Sequence, residues 1–517
     1  MNASLTGAGR ERDLAELAAG NVVDVLVVGL GVTGAGVALD AASRGLSVVA
    51  VDANDLAHGT SRWSSKLVHG GLRYLAHGQV GIAYESAVER HVLLTRTAPH
   101  LTRPLPMLLA ATGYTTGWQD RAAAVGLRAG DLLRTCAGTS RRTLPGTRRL
   151  GAAEASAMAP ALRPAGLRGA QLSWDGQLCD DARLVVGLAR AAAARSARIL
   201  PRCRATELHR DGATIEDTRT GARLHVTARV VINAAGVWAS SLTPHVRLRP
   251  SRGTHIVLSA ARLGGLWTGL TIPVPGQFTR YVFALPQTDG LVYAGLTDEA
   301  VDGPVPDVPE PADADVAFLL DVLNSVLDQP LRPTDVLGAF AGLRPLLADA
   351  DARTADLSRR HAVIDDPDGI ISVVGGKLTT YRRMAEDAVD TAVRRRRLAA
   401  GACRTRRLPL PGAASRAQLA RVPAPRRLVQ RYGTEAVDVL AEAPADLRQP
   451  IGPDIPVTGA ELLWAARHEL ALTVDDLLDR RTRIGLVPAH REAALPVARD
   501  VLALAADGTA NPTGAPA

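Results

Sequence analysis

The sequence predicts an α/β fold built in several parts, and three observations carry that expectation. The first is an apolar β-branched run, a glycine turn, an Ala-rich helical pattern and a second apolar run, DVLVVGLGVTGAGVALDAASRGLSVVAVD, at 24 to 52. The second is a set of alternating apolar stretches further along, such as RYVFAL and GLVYAGL, which read as strands. The third is an Ala/Leu/Arg-rich region at helical spacing, including TGAELLWAARHELALTVDDLLDRR, that follows a Pro/Gly-rich linker near LPLPGAAS at 408 to 415.

The first stretch reads as a Rossmann-like βαβ unit, with Gly45 stopping its helix. Gly29, Gly31 and Gly34 form G-x-G-x-x-G between strand and helix, a spacing that permits a tight turn, close approach of backbone to a pyrophosphate and close helix packing. Val32 and Thr33 open the helix, where backbone N–H groups face an anion. Asp52 ends the second strand about 20 residues on, where a carboxylate accepts hydrogen bonds from an adenosine ribose. Both NAD and FAD use such a unit. The segment that follows, HGTSRWSSKLVHGG at 58 to 71, supplies Thr60, Ser61, Ser64, Ser65, Lys66, Gly70 and Gly71 as a second layer around an extended cofactor.

Composition narrows the class. Hydrophobic residues at 47% and charged residues at 22% are ordinary for a soluble globular chain of 517 residues, and no apolar run approaches the roughly 20 residues of a membrane span. The N-terminus lacks the basic and apolar regions of a secretory signal, so cytoplasmic residence is expected. Four dispersed cysteines without C-x-x-C spacing argue against a zinc site or redox dithiol. The net charge of +8 suits an anionic partner, while 3% aromatic residues supply too few stacking platforms for nucleic acid. Only Lys66 and Lys377 are lysines, against a large arginine background. Each therefore marks a place where a compact ammonium serves and a planar guanidinium does not.

The motifs TSRWSSKLVHGGLRYL (60 to 75), DGQLCDDARLV (175 to 185), VINAAGVWA (231 to 239), SRGTHIVL (251 to 258), AGLRPLL (341 to 347) and VVGGKLTTYRRMAEDAVD (373 to 390) occur in that order. Through them the chain resembles the FAD-dependent glycerol-3-phosphate dehydrogenases, from about Asp24 to Thr391 and more weakly to about Leu504. The resemblance implies a glutathione-reductase-like or amino-acid-oxidase-like FAD-binding domain. It also implies oxidation of sn-glycerol 3-phosphate to dihydroxyacetone phosphate, with electrons passed to a membrane quinone. Two positions depart from the family pattern. Leu30 stands where another glycine is common, and Leu296 in GLTD stands where a small or hydroxyl residue is usual.

Oxidation of a secondary alcohol by a flavin needs hydride transfer from C2 to N5 and a base for the hydroxyl proton. His69 is the first candidate for that base and His255 the second, while His77 and His91 read as structural. A phosphate dianion calls for planar cations, and the family places Arg73, Arg344 and Arg359 at or near its substrate pocket, with Tyr74 beside it. Arg344 is expected in a turn-like segment, where it would also stabilise a developing alkoxide. Lys377 is expected at a strand–glycine turn–helix junction that aims positive dipole density at the flavin, with Gly376, Leu378 and Thr379 touching cofactor and Thr379 and Thr380 capping the helix. Ala235 and Gly236 in VINAAGVWA complete the expected cofactor set.

The glycine fingerprint, VINAAGVWA and VVGGKLTTYR lie about 200 and 345 residues apart, so the FAD-binding domain is expected to be discontinuous, over 21–78, 165–250 and 336–402. A mixed-sheet substrate domain is expected over 79–164 and 251–335, a C-terminal helical domain over 403–504, an N-terminal extension over 1–20 and a disordered tail over 505–517. Expected partners are glycerol 3-phosphate, a quinone and the inner face of the cell membrane as a peripheral contact, without nucleic acid; a homodimer is left open. The competing readings are a glycerol-3-phosphate oxidase that uses oxygen, an amine or hydroxy-substrate flavin oxidase, and a non-catalytic flavin protein.

Overall fold

The first sheet is built from strands that are apolar on both faces, and its centre is parallel because helices cross over it. Its order is Ala362–Asp365, Ile371–Val374, Arg223–Asn233, Val23–Val28, Val48–Val51, Arg198–Leu200, all parallel neighbours except the first pair. In this computed structural model the chain is described over residues 4–71, 75, 78–348 and 360–507, apart from the side chains of Phe278 and Thr279. Val25 and Val27 pack under the helices Val32–Ser43, Asp181–Ala193 and Tyr381–Arg396. Leu26 and Val28 face a meander of Cys203–His209 and Gly212–Asp217 together with the N-terminal helix Gly7–Ala18. Each such valine or leucine, fully withdrawn from water, contributes roughly 2 kcal/mol. Residues 7–18 are thus part of the body rather than an extension: Leu17 is in this core, and Arg10 forms a buried ion pair with Asp217 at 2.8 Å.

A second, mixed sheet runs in the order Glu299–Ala300, Ser251–Ser259, Leu291–Gly295, Gln277–Pro286, Gly269–Val274, Thr102–Ala111, Gly169–Leu178, Leu67–Val68. Gly338–Arg344 adds to Ser251–Ser259 and Arg148–Leu150 adds to Gly169–Leu178. The strands 67–68, 169–178 and 338–344 were expected in the cofactor part. They belong instead to this sheet, held there by antiparallel ladders: Gly169–Leu178 pairs with Thr102–Ala111 along its whole length, Gly338–Arg344 with Ser251–Ser259, and Leu67–Val68 with the end of Gly169–Leu178. The chain therefore crosses between the two sheets more often than motif spacing suggested.

The C-terminal region is mainly helical, with its own core of Leu428, Tyr432, Leu462, Leu463, Leu477 and Val501 among others. Thr458 caps the helix Gly459–His468 in a reciprocal box with Glu461, as the sequence predicts. The last helix, Pro488–Asp507, runs three residues into the expected tail, and its final turn is held by Ala505 in the core. Buried charges fasten this region to the first sheet. Arg480 and Arg481 grip Asp55 at 2.7 Å each, Arg183 grips Glu469, and Asp180 lies 3.0 Å from Arg431 and 3.3 Å from Arg483. Among the described residues no helix is long and apolar enough to cross a membrane.

Candidate active site

Four loops meet where the parallel strands of the first sheet end, the position at which open α/β sheets bind ligands. Gly29 follows Val23–Val28, Asp52 follows Val48–Val51, Ala234 to Gly236 follow Arg223–Asn233, and Gly375 to Lys377 follow Ile371–Val374. Gly29 has φ 107°, and a Cβ there would stand 2.5 Å from the Ala234 carbonyl oxygen. A Cβ on Gly34 would collide with the Gly29 carbonyl oxygen. The fingerprint glycines are therefore required by contact between the loops as well as by room for a ligand.

Ser61 closes the helix start by accepting a 2.8 Å hydrogen bond from the Val32 N–H. Thr33 is half-buried beside it. Asp52 accepts from the Leu30 N–H at 2.7 Å and the Asn54 N–H at 2.8 Å, which braces the carboxylate at the end of its strand. Burial pushes its pKa up against those two donors. Leu30 contributes only its backbone here, so a side chain in place of the family's usual glycine is accommodated: it is fully buried in the core.

Several side chains of the expected second layer are engaged within the protein. Lys66 is fully buried at φ 58°, a left-handed conformation uncommon for a non-glycine residue. Its ammonium donates to Asp181 Oδ2 at 2.8 Å and to the Arg62 carbonyl at 2.6 Å, below the rings of Phe340 and Tyr293. The same Asp181 oxygen accepts from the Ser64 N–H and hydroxyl at 3.0 and 2.8 Å. Thr60 donates to the Leu343 carbonyl at 2.6 Å. The side chains of Lys66, Ser64 and Thr60, expected at the cofactor, thus tie the segment to the protein, because an unsolvated ammonium must be paired. Asp181 was not singled out in the sequence. Its neighbour Asp180 caps the helix Asp181–Ala193 by accepting from the Arg183 N–H at 3.1 Å.

Ser65 shares a 2.9 Å hydrogen bond with His255 Nε2. His255 lies within the strand Ser251–Ser259, buried and stacked 4.8 Å from Phe340. Burial, with Lys66 and Arg344 nearby, pushes its pKa down to about 3, so it stays neutral. Its Nε2 is engaged with Ser65, and its Nδ1 is buried without a hydrogen-bond partner. Arg344 ends the strand Gly338–Arg344, not a turn, and is braced by Ser251 Oγ at 3.0 Å, Asp298 at 3.1 Å and the Thr297 carbonyl at 3.0 Å. The GLTD loop therefore acts through Thr297 and Asp298, and Leu296 supplies no polar contact.

His69 follows the short strand Leu67–Val68 and is half-buried. Behind it, the Gly70 N–H donates to Asp175 at 3.1 Å, and Asp175 also pairs with Arg90 at 2.6 Å. A Cβ on Gly71, at φ 77°, would approach Ala83 and Ser86 of the helix Val80–Val92 to 3.0 and 3.3 Å. Gly70 and Gly71 are thus needed for packing on that helix. From the other side, Lys377 Nζ donates to Ser86 Oγ at 2.8 Å. Ser86 joins the His69–Gly71 loop to Lys377, which is about 300 residues away in sequence. Lys377 caps a 3₁₀ turn, Leu378–Thr380, and the α-helix proper starts at Tyr381. Thr380 occupies that helix's N-cap position, but its hydroxyl turns back to the Lys377 carbonyl at 3.3 Å. Among the expected residues, Arg73, Tyr74, His77 and Arg359 lie outside the described residues.

A family model described as FAD dependent oxidoreductase matches residues 24–382, and one described as the C-terminal domain of alpha-glycerophosphate oxidase matches 403–509. Glycerol-3-phosphate dehydrogenase 1 of Mycobacterium tuberculosis is 51% identical over 97% of this chain and 99% of its own length. The chain belongs to the FAD-dependent glycerol-3-phosphate dehydrogenase family. A mitochondrial glycerol-3-phosphate dehydrogenase of Arabidopsis thaliana is 34% identical over 94% of this chain and 83% of its own. Among solved structures, the glycerol-3-phosphate dehydrogenase of Bacillus halodurans complexed with FAD has TM-score 0.73 and 26% identity, covering 96% of this chain and 94% of that one. An L-alpha-glycerophosphate oxidase of Mycoplasma pneumoniae shares the fold at TM-score 0.56, with 17% identity over 76% of this chain and 99% of that one.

FAD is the family's cofactor, and the loops described here suit it. The fingerprint turn has a helix start for the pyrophosphate and Asp52 for a ribose. Thr379 Oγ1 and Trp63 Nε1 are buried without a hydrogen-bond partner, two polar atoms that a bound group would satisfy.

Proposed function

We propose that the chain oxidises sn-glycerol 3-phosphate to dihydroxyacetone phosphate and passes the electrons to a membrane quinone. The observation that carries this reading is the junction at Ser86, which brings the His69–Gly71 loop and Lys377 together beside the strand ends. Gly29, Gly31, Val32, Thr33, Gly34, Asp52, Ser61, Ala235, Gly236, Gly376, Leu378 and Thr379 would hold FAD. FAD, when bound, supplies the two-electron acceptor for the hydride leaving C2. An imidazole nitrogen of His69 takes the proton of the C2 hydroxyl. Arg344, its guanidinium fixed by Ser251, Asp298 and Thr297, binds the phosphate and steadies developing negative charge, with Arg73 and Arg359 as further phosphate cations and Tyr74 beside them. Lys377 places a positive charge near the flavin ring or substrate.

Glycerol 3-phosphate added under argon should bleach the flavin, and a spectrum that stays oxidised refutes the proposal. Reoxidation by quinone faster than by oxygen separates the dehydrogenase from an oxidase. A peripheral contact with the inner membrane surface belongs to the same reading, since a quinone resides in the bilayer.

A further inference from the structure

The helix Gly117–Cys136 turns an unusual face outward. Trp118, Val125 and Leu132, seven residues apart, are 60%, 66% and 66% exposed, and Tyr114 just ahead of the helix is 61% exposed. Ala122 and Ala129 fall between them on the same stripe, at the three- and four-residue steps that meet on a helix surface. Single exposed apolar residues are ordinary, but a continuous row over a helix about 30 Å long marks a surface that something covers.

Charge identifies what covers it. Arg121 and Arg128 are exposed along one edge of the stripe, and Arg141 and Arg142 are exposed just past the helix. The helix has two acids, and both are turned to neighbours: Asp120 pairs with Arg168 at 2.7 Å, while Asp131 pairs with Arg134 and accepts from the Thr147 N–H at 2.7 Å. The outward face is thus apolar with a positive border and no carboxylate. A protein helix docking along this stripe would have to supply carboxylates for Arg121 and Arg128 at its edge. A second copy of this chain would bring the same arginines against them. Anionic phosphates above an acyl layer complement both features, and interfacial helices combine Trp and Leu on one side with Arg on its flank.

We infer that this helix lies flat in the surface of an anionic bilayer, with Trp118, Val125 and Leu132 at the acyl boundary and Arg121 and Arg128 on lipid phosphates. The inference rests on the membrane contact proposed above and names the surface that makes it. The test is flotation of the FAD-loaded full chain with vesicles of phosphatidylcholine alone and with about 30% phosphatidylglycerol added. Wild type should float with the anionic vesicles. The Trp118→Ser/Val125→Ser/Leu132→Ser variant should bind them at least about tenfold more weakly while keeping its glycerol 3-phosphate activity with a soluble dye. Should that variant lose dye activity, Arg121→Glu/Arg128→Glu, altered only at exposed charges, should lose the preference for anionic vesicles. Either variant floating like wild type overturns the assignment to this helix and leaves membrane contact standing. Wild type failing to float overturns both. A triple variant whose sedimenting mass falls to half that of wild type assigns the face to a second copy and overturns the lipid assignment.

Discussion

Replacing Lys66 by methionine removes an ammonium that has no access to solvent and leaves Asp181 in place beneath it. Breaking a buried ion pair by deleting one partner costs about 3–5 kcal/mol, because the survivor keeps its desolvation penalty. Asp181 retains donors from the Ser64 N–H, the Ser64 hydroxyl and the Ala182 N–H, which places Lys66→Met near the lower end, at about 3 kcal/mol. Asp181→Asn is the harsher change. It leaves a charge held only by the Arg62 carbonyl, a neutral amide and two ring edges or faces, and it should cost about 5 kcal/mol. With an unfolding entropy of about 2.1 cal/mol/K per residue, a chain of this length loses about 3 °C of Tm for the first and about 5 °C for the second. Thermal release of flavin fluorescence measures both. The double variant Lys66→Met/Asp181→Leu should lose less than the two single changes added together. A Lys66→Met protein within about 0.5 kcal/mol of wild type would refute the view that this pair fixes the 60–66 segment.

Other substitutions test the remaining assignments. Gly34→Ala puts a methyl group into the Gly29 carbonyl, so the purified protein should come out with little or no FAD, measured by its 450 nm absorbance relative to protein on the order of a tenth of wild type. Glu469 is held at about 2: burial alone would raise it, but Arg183 and then Arg190 overcome that and bring it down from 4.5. Its stabilisation is fully present above pH 4.5 and is lost as pH falls toward 2, a difference of 2.5 units or about 3 kcal/mol; Glu469→Gln should flatten that part of an acid-unfolding curve. Because His255 stays neutral down to about pH 3, His255→Asn should leave the acid limb of the kcat/KM profile in place, whereas His69→Gln should remove it and lower kcat by about 10²–10⁴. Arg344→Ala should raise KM for glycerol 3-phosphate by about tenfold or more, with part of the activity restored by added guanidinium.

Much of the cofactor unit was legible because its determinants are local. Strand, glycine turn and helix at 24 to 52 are specified by neighbours within one short segment, and the junction at 371 to 381 obeys the same logic. The scarcity of lysine drew attention to Lys66 and Lys377, and each ammonium has a specific acceptor, Asp181 for the first and Ser86 for the second. For Lys66 that acceptor sits in a solvent-free slot, 115 residues away in sequence. The same distance problem hid Ser86 and Asp298. A serine on an amphipathic helix and an aspartate in a loop carry no pattern until the fold sets them against Lys377 and Arg344. Sheet membership was misread for 169–178 and 338–344 because alternation along a strand says which face is buried but not which strand lies alongside.

Asp55 stands three positions after Asp52, yet its carboxylate is satisfied by Arg480 and Arg481 from the far end of the chain. Asp180, beside Asp181, depends in the same way on Arg431 and Arg483. Removing the polypeptide beyond about residue 402 would therefore take away the cations of two aspartates at the doorstep of the nucleotide cleft. The trailing helices behave less like an appended module than like a keystone, and a shortened catalytic fragment would lack the four guanidinium groups that face those two aspartates.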